Sequence, residues 1–407
     1  MIYQWVELQK TMLTPAAQLA KVTNRLLVHP RNPLAKTLLA RTLAANAEVV
    51  DRTLHRYPKP AFGIEQLTIE GHSVQFKQEV VQQRPFCALQ HFRRLPSAAA
   101  SPTEKLLIVA PLSGHFATLL RDTVRTALPD FDVYITDWAD AKSVPLRMGA
   151  FHLDDYIHYV MDFLRYLGPQ THVMAVCQPT VPVLAAASLL AQQNDPCVPR
   201  SLVLMGGPVD ARKSPTEVNR FAVSKSYKWF EDNLIMRVPL NYPGFLRRVY
   251  PGFLQHASFL LMNPKRHLKA HLDFYYDLLR GDAKSAEAHR KFYDEYHAVL
   301  DMAAEYYLDT IRAVFQDYLL ARGMLTVSGQ RVQPEALLAT RLMTVEGELD
   351  DIAGLGQTEA AQRLCSGLAS SQRQHLVAQG AGHYGIFSGH RFREQVYPQI
   401  RAFLQQQ

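Results

Sequence analysis

Three residues far apart in the chain carry chemistry that can be read directly: Cys177 in VMAVCQP, Asp350 in GELDD and His383 in AGHYG. A thiol attacks carbon as the thiolate, so it needs a base beside it. His383 can take the Cys177 proton and later deliver one to a leaving alkoxide. Asp350 can hold the imidazole in the right tautomer and stabilise its cation. The order nucleophile, acid, histidine is the one supplied by folds that carry the nucleophile on a strand-to-helix elbow. Asp350 is preferred over Asp351, which the period of a strand points to the other side. It is also preferred over Asp210, which follows the strand SLVLMGG. His390 falls at the start of the closing helix and is read as a surface residue.

The surroundings of Cys177 agree with an elbow. Val173, Met174, Ala175 and Val176 form an apolar strand, and the small-residue segment VPVLAAASLLA follows as a helix. Ala175 and Pro179 stand where an elbow usually has glycine. Ala is small, and Pro179 is suited to opening a helix while leaving the Gln178 N–H free. An oxyanion formed at this turn needs two donors. The Gln178 N–H is one. The other is expected from Ser113-Gly114-His115, after the strand LLIVAPL, at an N–H near His115; Gly114 lets the backbone come close.

The elements that position these residues follow from periodicity. Residues 1–60 read as a helical extension, with spaced apolar positions at Trp5, Leu8, Met12, Leu13, Leu38, Leu39 and Leu43. The Pro-rich run 56–63 breaks it. IEQLTIEG and HSVQFKQEVV alternate about Gly71 as a hairpin. From there short apolar strands alternate with helix-length segments through residue 212 and again over 339–407, which predicts an α/β core with a mostly parallel, doubly wound sheet. Between 213 and 338 the strand signal vanishes. Aromatics recur at helical spacing there, as in Phe292, Tyr296, Val299, Leu300, Ala303 and Tyr307, and the segment is expected to be an inserted helical cap. Within it Phe221, Trp229, Phe230, Leu234, Tyr242 and Phe245 are candidates for contact with an apolar substrate, with Trp229, Phe230 and Leu234 foremost, and Ser113 is the candidate beside the nucleophile.

Composition narrows the class. The chain has 407 residues, a net charge of +7 and four scattered cysteines without CxxC pairs. That pattern argues against a disulfide framework and places the protein in a reducing compartment, the cytoplasm. The start has no basic leader or compact apolar run, and is expected to be an amphipathic helix of the mature protein. No apolar run is long enough for a membrane span. Basic residues are dispersed without a nucleic-acid module. No ligand-spaced cluster implies a metal, and nothing calls for a cofactor.

Taken together, LLIVAPLSGHFATLLRDTV, VMAVCQP, GELDDIAGLGQT and AGHYGIFSGHRFREQVYPQIRAF resemble the intracellular polyhydroxybutyrate depolymerases, relatives of the polyhydroxyalkanoate synthases. The likeness includes the opening MIYQWVELQ and the segment FYDEYHAVLDMAAEYYLDTI. It implies an α/β-hydrolase fold and a Cys-His-Asp triad at Cys177, His383 and Asp350. It further implies hydrolysis of amorphous polyester to 3-hydroxybutyrate and short oligomers, at the surface of cytoplasmic granules. The residues alone stop at thiol-dependent acyl transfer, and oligomeric state, a homodimer included, stays open. Two other readings compete: a synthase-type acyltransferase using hydroxyacyl-CoA, and a non-catalytic granule-coat protein on the same fold. Synthases typically carry glycine on both sides of their cysteine, unlike Ala175 and Pro179. A coat protein has no use for an intact triad.

Overall fold

The computed structural model describes residues 2–96, 101–262 and 264–406. A nine-stranded sheet runs through it. Its strands are β1 (Gln66–Ile69), β2 (His72–Gln83), β3 (Cys87–Arg94), β4 (Lys105–Val109), β5 (Asp132–Trp138), β6 (His172–Val176), β7 (Ser201–Met205), β8 (Arg341–Gly347) and β9 (Arg373–Ala378). They are ordered β1-β2-β3-β5-β4-β6-β7-β8-β9. The first three pair antiparallel, as does β3 with β5, and every pair from β5 to β9 is parallel. The central strands β6 and β7 are buried at every position. That is what a parallel strand covered on both faces requires, and it explains their unbroken apolar sequence.

Helices α3 (Arg121–Ala127), α4 (Leu153–Leu167) and α5 (Thr180–Gln192) connect the parallel strands. Helix α5 is buried from Thr180 to Leu190, so it is apolar on all sides rather than on one stripe. The alternation of strand and helix, with one antiparallel strand inside the order and a cysteine at the turn between β6 and α5, is the α/β-hydrolase arrangement.

Two helices precede the sheet: α1 (Ile2–Leu27) and α2 (Leu38–Leu54). They pack on each other, and their buried positions include Ala17 and Ala20 on one and Ala40, Ala44 and Ala45 on the other. The leucines that made this region read as helical, Leu8, Leu13, Leu38, Leu39 and Leu43, are all exposed.

Over 213–338 the chain forms α6 (Glu217–Ser224), α7 (Tyr227–Leu234), α8 (Gly252–Met262), α9 (Pro264–Arg280), α10 (Ala283–His297) and α11 (Ala304–Thr310). Two expectations fail here. The segment also holds short strands, Met236–Arg237, Arg248–Tyr250 and Met302–Ala303 in one small sheet and Thr326–Val327 with Gln330–Arg331 in another. The apolar stripe from Phe292 to Tyr307 is not one helix either. The chain leaves α10 at Ala298 and bridges Val299 to His115 before α11 begins. The break is stabilised by long-range partners that periodicity cannot register: the Leu300 N–H donates to the Gly114 carbonyl at 3.1 Å, and Asp301 accepts from the Gly252 N–H at 2.8 Å and the Tyr3 hydroxyl at 2.5 Å.

Candidate active site

Strand β6 ends at Val176, and Cys177 then adopts a φ of +68°. That left-handed conformation costs a non-glycine residue about 1–3 kcal/mol, and it persists only where neighbours enforce it. Here the Cys177 N–H donates to the Met205 carbonyl at 2.7 Å, and its carbonyl accepts from the Thr180 N–H at 3.1 Å. Pro179 is the N-cap of α5. The strand, the strained turn and the helix together hold the thiol clear of the backbone on one side of the bend.

Two other loops bring up its partners. After β8, the Asp350 side chain lies fully buried, and its Oδ1 accepts from the Ile352 and Ala353 N–H groups at 2.8 and 2.9 Å. After β9, His383 is buried, and its Nδ1 lies 2.8 Å from Asp350 Oδ2. An Nδ1–H donated to that carboxylate leaves Nε2 for the cysteine, and His383 is also hydrogen-bonded to Cys177. Burial works against a charged imidazole here, but the Asp350 carboxylate and then Cys177 outweigh it and hold His383 well above its ordinary pKa. The arrangement therefore favours an imidazolium beside the sulfur. Asp351 lies next in the chain, but the bond to His383 comes from Asp350. Asp210 instead holds Arg212 at 2.7 Å, and His390 is exposed beside Glu394.

The two glycines after β7 make this convergence possible, and the sequence reading had missed them. A Cβ on Gly206 would stand 2.6 Å from Ile386 Cδ1 and 3.3 Å from Asp350 Oδ2. One on Gly207 would stand 1.9 Å from Thr180 Oγ1 and 2.4 Å from the Cys177 carbonyl oxygen. The doublet in SLVLMGG was the available signal: two glycines at the end of a parallel strand mark close approach of another segment.

Cys177, Gln178, Ser113, His115 and His383 line one cavity of about 130 Å³, closed by apolar side chains including Leu119, Phe259, Phe315, Tyr384 and Phe387. Gly114, at a φ of +90°, lies against the Phe259 ring with no room for a side chain. The Ser113 N–H is taken by Gln178 Oε1 at 3.0 Å, which straps the loop after β4 to the elbow. The Gln178 N–H has no acceptor among the described residues. The His115 ring is buried, stacks on Phe259 at 5.2 Å and keeps its Nε2 without a partner. Burial pushes its pKa down to about 4, so it faces the cavity as a neutral group.

Trp229, Phe230 and Leu234 are not in that wall. Phe230 is buried with Ala222, Leu308 and Ile311, and Trp229 and Leu234 pack against the same cluster. They join α7 to α6 and α11, and Phe259 and Phe315 stand at the cavity instead. A larger cavity of about 740 Å³ lies between α1, α2 and the α8–α10 region, and it contains none of the three catalytic candidates. Its cations are paired: Arg56 and Lys10 with Glu7, Arg52 with Asp294, Lys142 with Asp140. Among the described residues one cluster has metal-ligand spacing, Glu346, Glu359 and His375. The Glu346 oxygens in it already accept the Gly356, Thr358 and Glu359 N–H groups at 2.8, 2.7 and 2.9 Å. Among the described residues no helix is long and apolar enough to cross a membrane.

Comparison with curated proteins found no match. Among solved structures, the chain is similar to a hydrolase from Pseudomonas aeruginosa PA01 (15% identity, TM-score 0.46, covering 81% of this chain and 98% of that one). It is similar also to a thermophilic esterase from Thermogutta terrifontis (12%, 0.40, 83% and 97%) and to the Paleococcus ferrophilus monoacylglycerol lipase (13%, 0.42, 75% and 96%). Residues 206–407 match the family model described as PHB de-polymerase C-terminus, a span that runs from Gly206 through Asp350 and His383 to the end of the chain. Residues 206–407 thus carry the match to the PHB de-polymerase C-terminus domain, and the protein is a carboxylic ester hydrolase.

Proposed function

We propose that this protein hydrolyses the ester bonds of amorphous poly(3-hydroxybutyrate) through an acyl-thioester on Cys177, releasing 3-hydroxybutyrate and short oligomers. The observation that carries the reading is the linked set on three separate loops: Cys177 at a strained elbow, hydrogen-bonded to His383, itself held by Asp350 at 2.8 Å. The family of residues 206–407 supports the substrate class.

In the first half of the reaction the Cys177 sulfur attacks the ester carbonyl carbon, and the carbonyl electron pair moves onto oxygen. The Gln178 N–H, with a second donor from the Ser113–His115 loop, faces that charge. The tetrahedral centre collapses with loss of the alkoxide, which takes the His383 proton and leaves as a hydroxyl chain end. In the second half neutral His383 takes a proton from water as its oxygen attacks the thioester. The thiolate departs, His383 is again the cation, and the carboxylic acid is released. Asp350 keeps the ring oriented in both halves. The apolar walls from Phe259, Phe315 and Tyr384 suit an ester flanked by methyl-bearing units.

The experiment is acid release from amorphous poly(3-hydroxybutyrate) particles, with mass spectrometry of Cys177 during turnover. A hydroxybutyryl adduct on Cys177, and loss of release by about 10³-fold or more in Cys177→Ala, are expected. Unchanged release by that variant would sink the cysteine mechanism. Consumption of hydroxyacyl-CoA with thiol release, and none of polymer, would replace it with the synthase reading.

A further inference from the structure

Helix α1 carries an apolar stripe that nothing among the described residues covers. Trp5, Leu8, Met12, Pro15, Leu19, Val22 and Leu26 follow one another at alternating spacings of three and four, which aligns them on one side of a helix. All are exposed: Trp5 by 59%, Met12 by 68%, Leu19 by 69% and Leu26 by 66%. From Trp5 to Leu26 the stripe is about 32 Å long at 1.5 Å per residue. The opposite side of the helix is the one that docks. Tyr3 donates to Asp301 at 2.5 Å and its ring meets Phe253, Glu7 accepts from the Tyr242 hydroxyl at 2.6 Å and from Arg56 at 3.1 Å, and Ala17 is buried. The orientation is thus fixed by a buried polar anchor, and the leucine side is left outward. Helix α2 adds exposed Leu39, Leu43 and Val50.

Charge distinguishes what could cover it. Residues 1–60 hold nine Lys and Arg against three acidic residues, so six of the seven net positive charges of the chain lie there. Lys10, Arg52, Arg56 and Lys59 are spent on Glu7, Asp294 and Asp137. Lys21 and Arg25 line a cleft on the docked side with Glu48, Asp51 and Asp294, and Arg41 lies toward Gly281. Arg31 and Lys36, in the turn after α1, are exposed and make no ion pair among the described residues. A long apolar stripe with unpaired cations at one end suits an apolar surface that bears anions. A second copy of the chain fits less well, because it would bring like charges together.

We propose that the α1 face is the adsorption surface of the enzyme and that its partner is the polyester body itself. This rests on the function proposed above. Each ester cleavage leaves a carboxylate chain end, so a partly hydrolysed polyester surface is apolar and anionic at once, the chemistry that this face presents in complement. Apolar contact by the stripe holds the enzyme on the surface, and Arg31 and Lys36 at its end meet the carboxylates. The active-site cavity then works on a surface already bound, by a part of the chain that contributes nothing to the triad.

The test is co-sedimentation with amorphous poly(3-hydroxybutyrate) particles, alongside hydrolysis of a soluble 3-hydroxybutyrate dimer ester. A Met12→Glu/Leu19→Glu variant is expected to bind particles at least tenfold less while cleaving the soluble ester at the native rate, which also shows that it is folded. An Arg31→Gln/Lys36→Gln variant is expected to weaken the salt dependence of binding that the native protein shows. Unchanged adsorption of the first variant overturns the proposal. So does a native dimer in light scattering that becomes a monomer in that variant, since the stripe is then an interface between copies. Native protein that adsorbs but cleaves neither particle nor soluble ester defeats the depolymerase reading and leaves the surface standing.

Discussion

Gly207 lies so close to Cys177 that a Cβ on it would stand 2.4 Å from the cysteine carbonyl oxygen. That oxygen accepts the Thr180 N–H that opens α5, and so cannot retreat without disturbing the elbow. Gly207→Ala is therefore expected to destabilise the protein by about 1–3 kcal/mol, the range for forced overpacking. Activity should fall further than stability accounts for. Chemical denaturation beside soluble-ester kinetics at a temperature where the variant is folded would measure both. Native activity in a folded Gly207→Ala protein would refute the close-packing account.

His383 owes its raised pKa to Asp350, against burial. A histidine pKa raised above its unfolded value of 6.5 contributes stability that is fully present below that value and is lost as pH rises through the folded one. Asp350→Asn should lower the His383 pKa, observable by NMR of the labelled ring, and remove part of that stabilisation below the unfolded value. Activity should drop with it, because Asp350 no longer holds the proton on Nδ1. An unchanged His383 titration in the variant would exclude the ion pair as its cause.

The Gln178 side chain fastens the loop after β4 to the elbow through the Ser113 N–H. Gln178→Ala leaves that N–H without its acceptor and lets the Ser113–His115 loop drift from the elbow. A loss of about 10- to 100-fold in kcat is expected, the scale of a displacement near 1 Å. Gln178→Glu keeps an acceptor and should recover most of it. Equal losses in both variants would mean that the strap is not what Gln178 contributes.

Histidines gather where α8, α9 and α10 meet. His256 Nε2 lies 2.6 Å from His297 Nδ1, and the His271 ring is 5.2 Å from His289. Burial, and then Lys10, Arg52 and neighbouring histidines, push His256 and His289 down to about 4 and His297 to about 3. Groups that stay neutral when folded and protonate when unfolded cost stability as pH falls below their ordinary value of 6.5. The unfolding temperature should therefore decline between about pH 7 and about pH 5, and His297→Gln should flatten that decline. A native protein equally stable across this window would contradict it.

The candidate site of this protein, the convergence of Cys177, Asp350 and His383, was legible in the chain because its signals are local. An apolar strand running into Cys177, an acid at the end of a late strand and a histidine after the next one each occupy a dozen residues, and their order was enough to pair them. The parallel core was legible for the same reason, since strands buried on both faces have no polar positions. What the tertiary structure decided depended on distant partners. The apolar period from Phe292 to Tyr307 said helix, yet the chain breaks there because Gly114, Gly252 and Tyr3 supply hydrogen bonds to Leu300 and Asp301. Trp229 and Phe230 read as candidates for contact with an apolar substrate, and the structure buries Phe230 between α6 and α11 with Trp229 half-buried against it. In α1 the spaced apolar residues marked the helix, and the structure buries tyrosine, glutamate and alanine while leaving Leu8, Leu13, Leu19 and Leu26 exposed. Periodicity tells which residues share a face, and only the rest of the chain tells whether that face is covered.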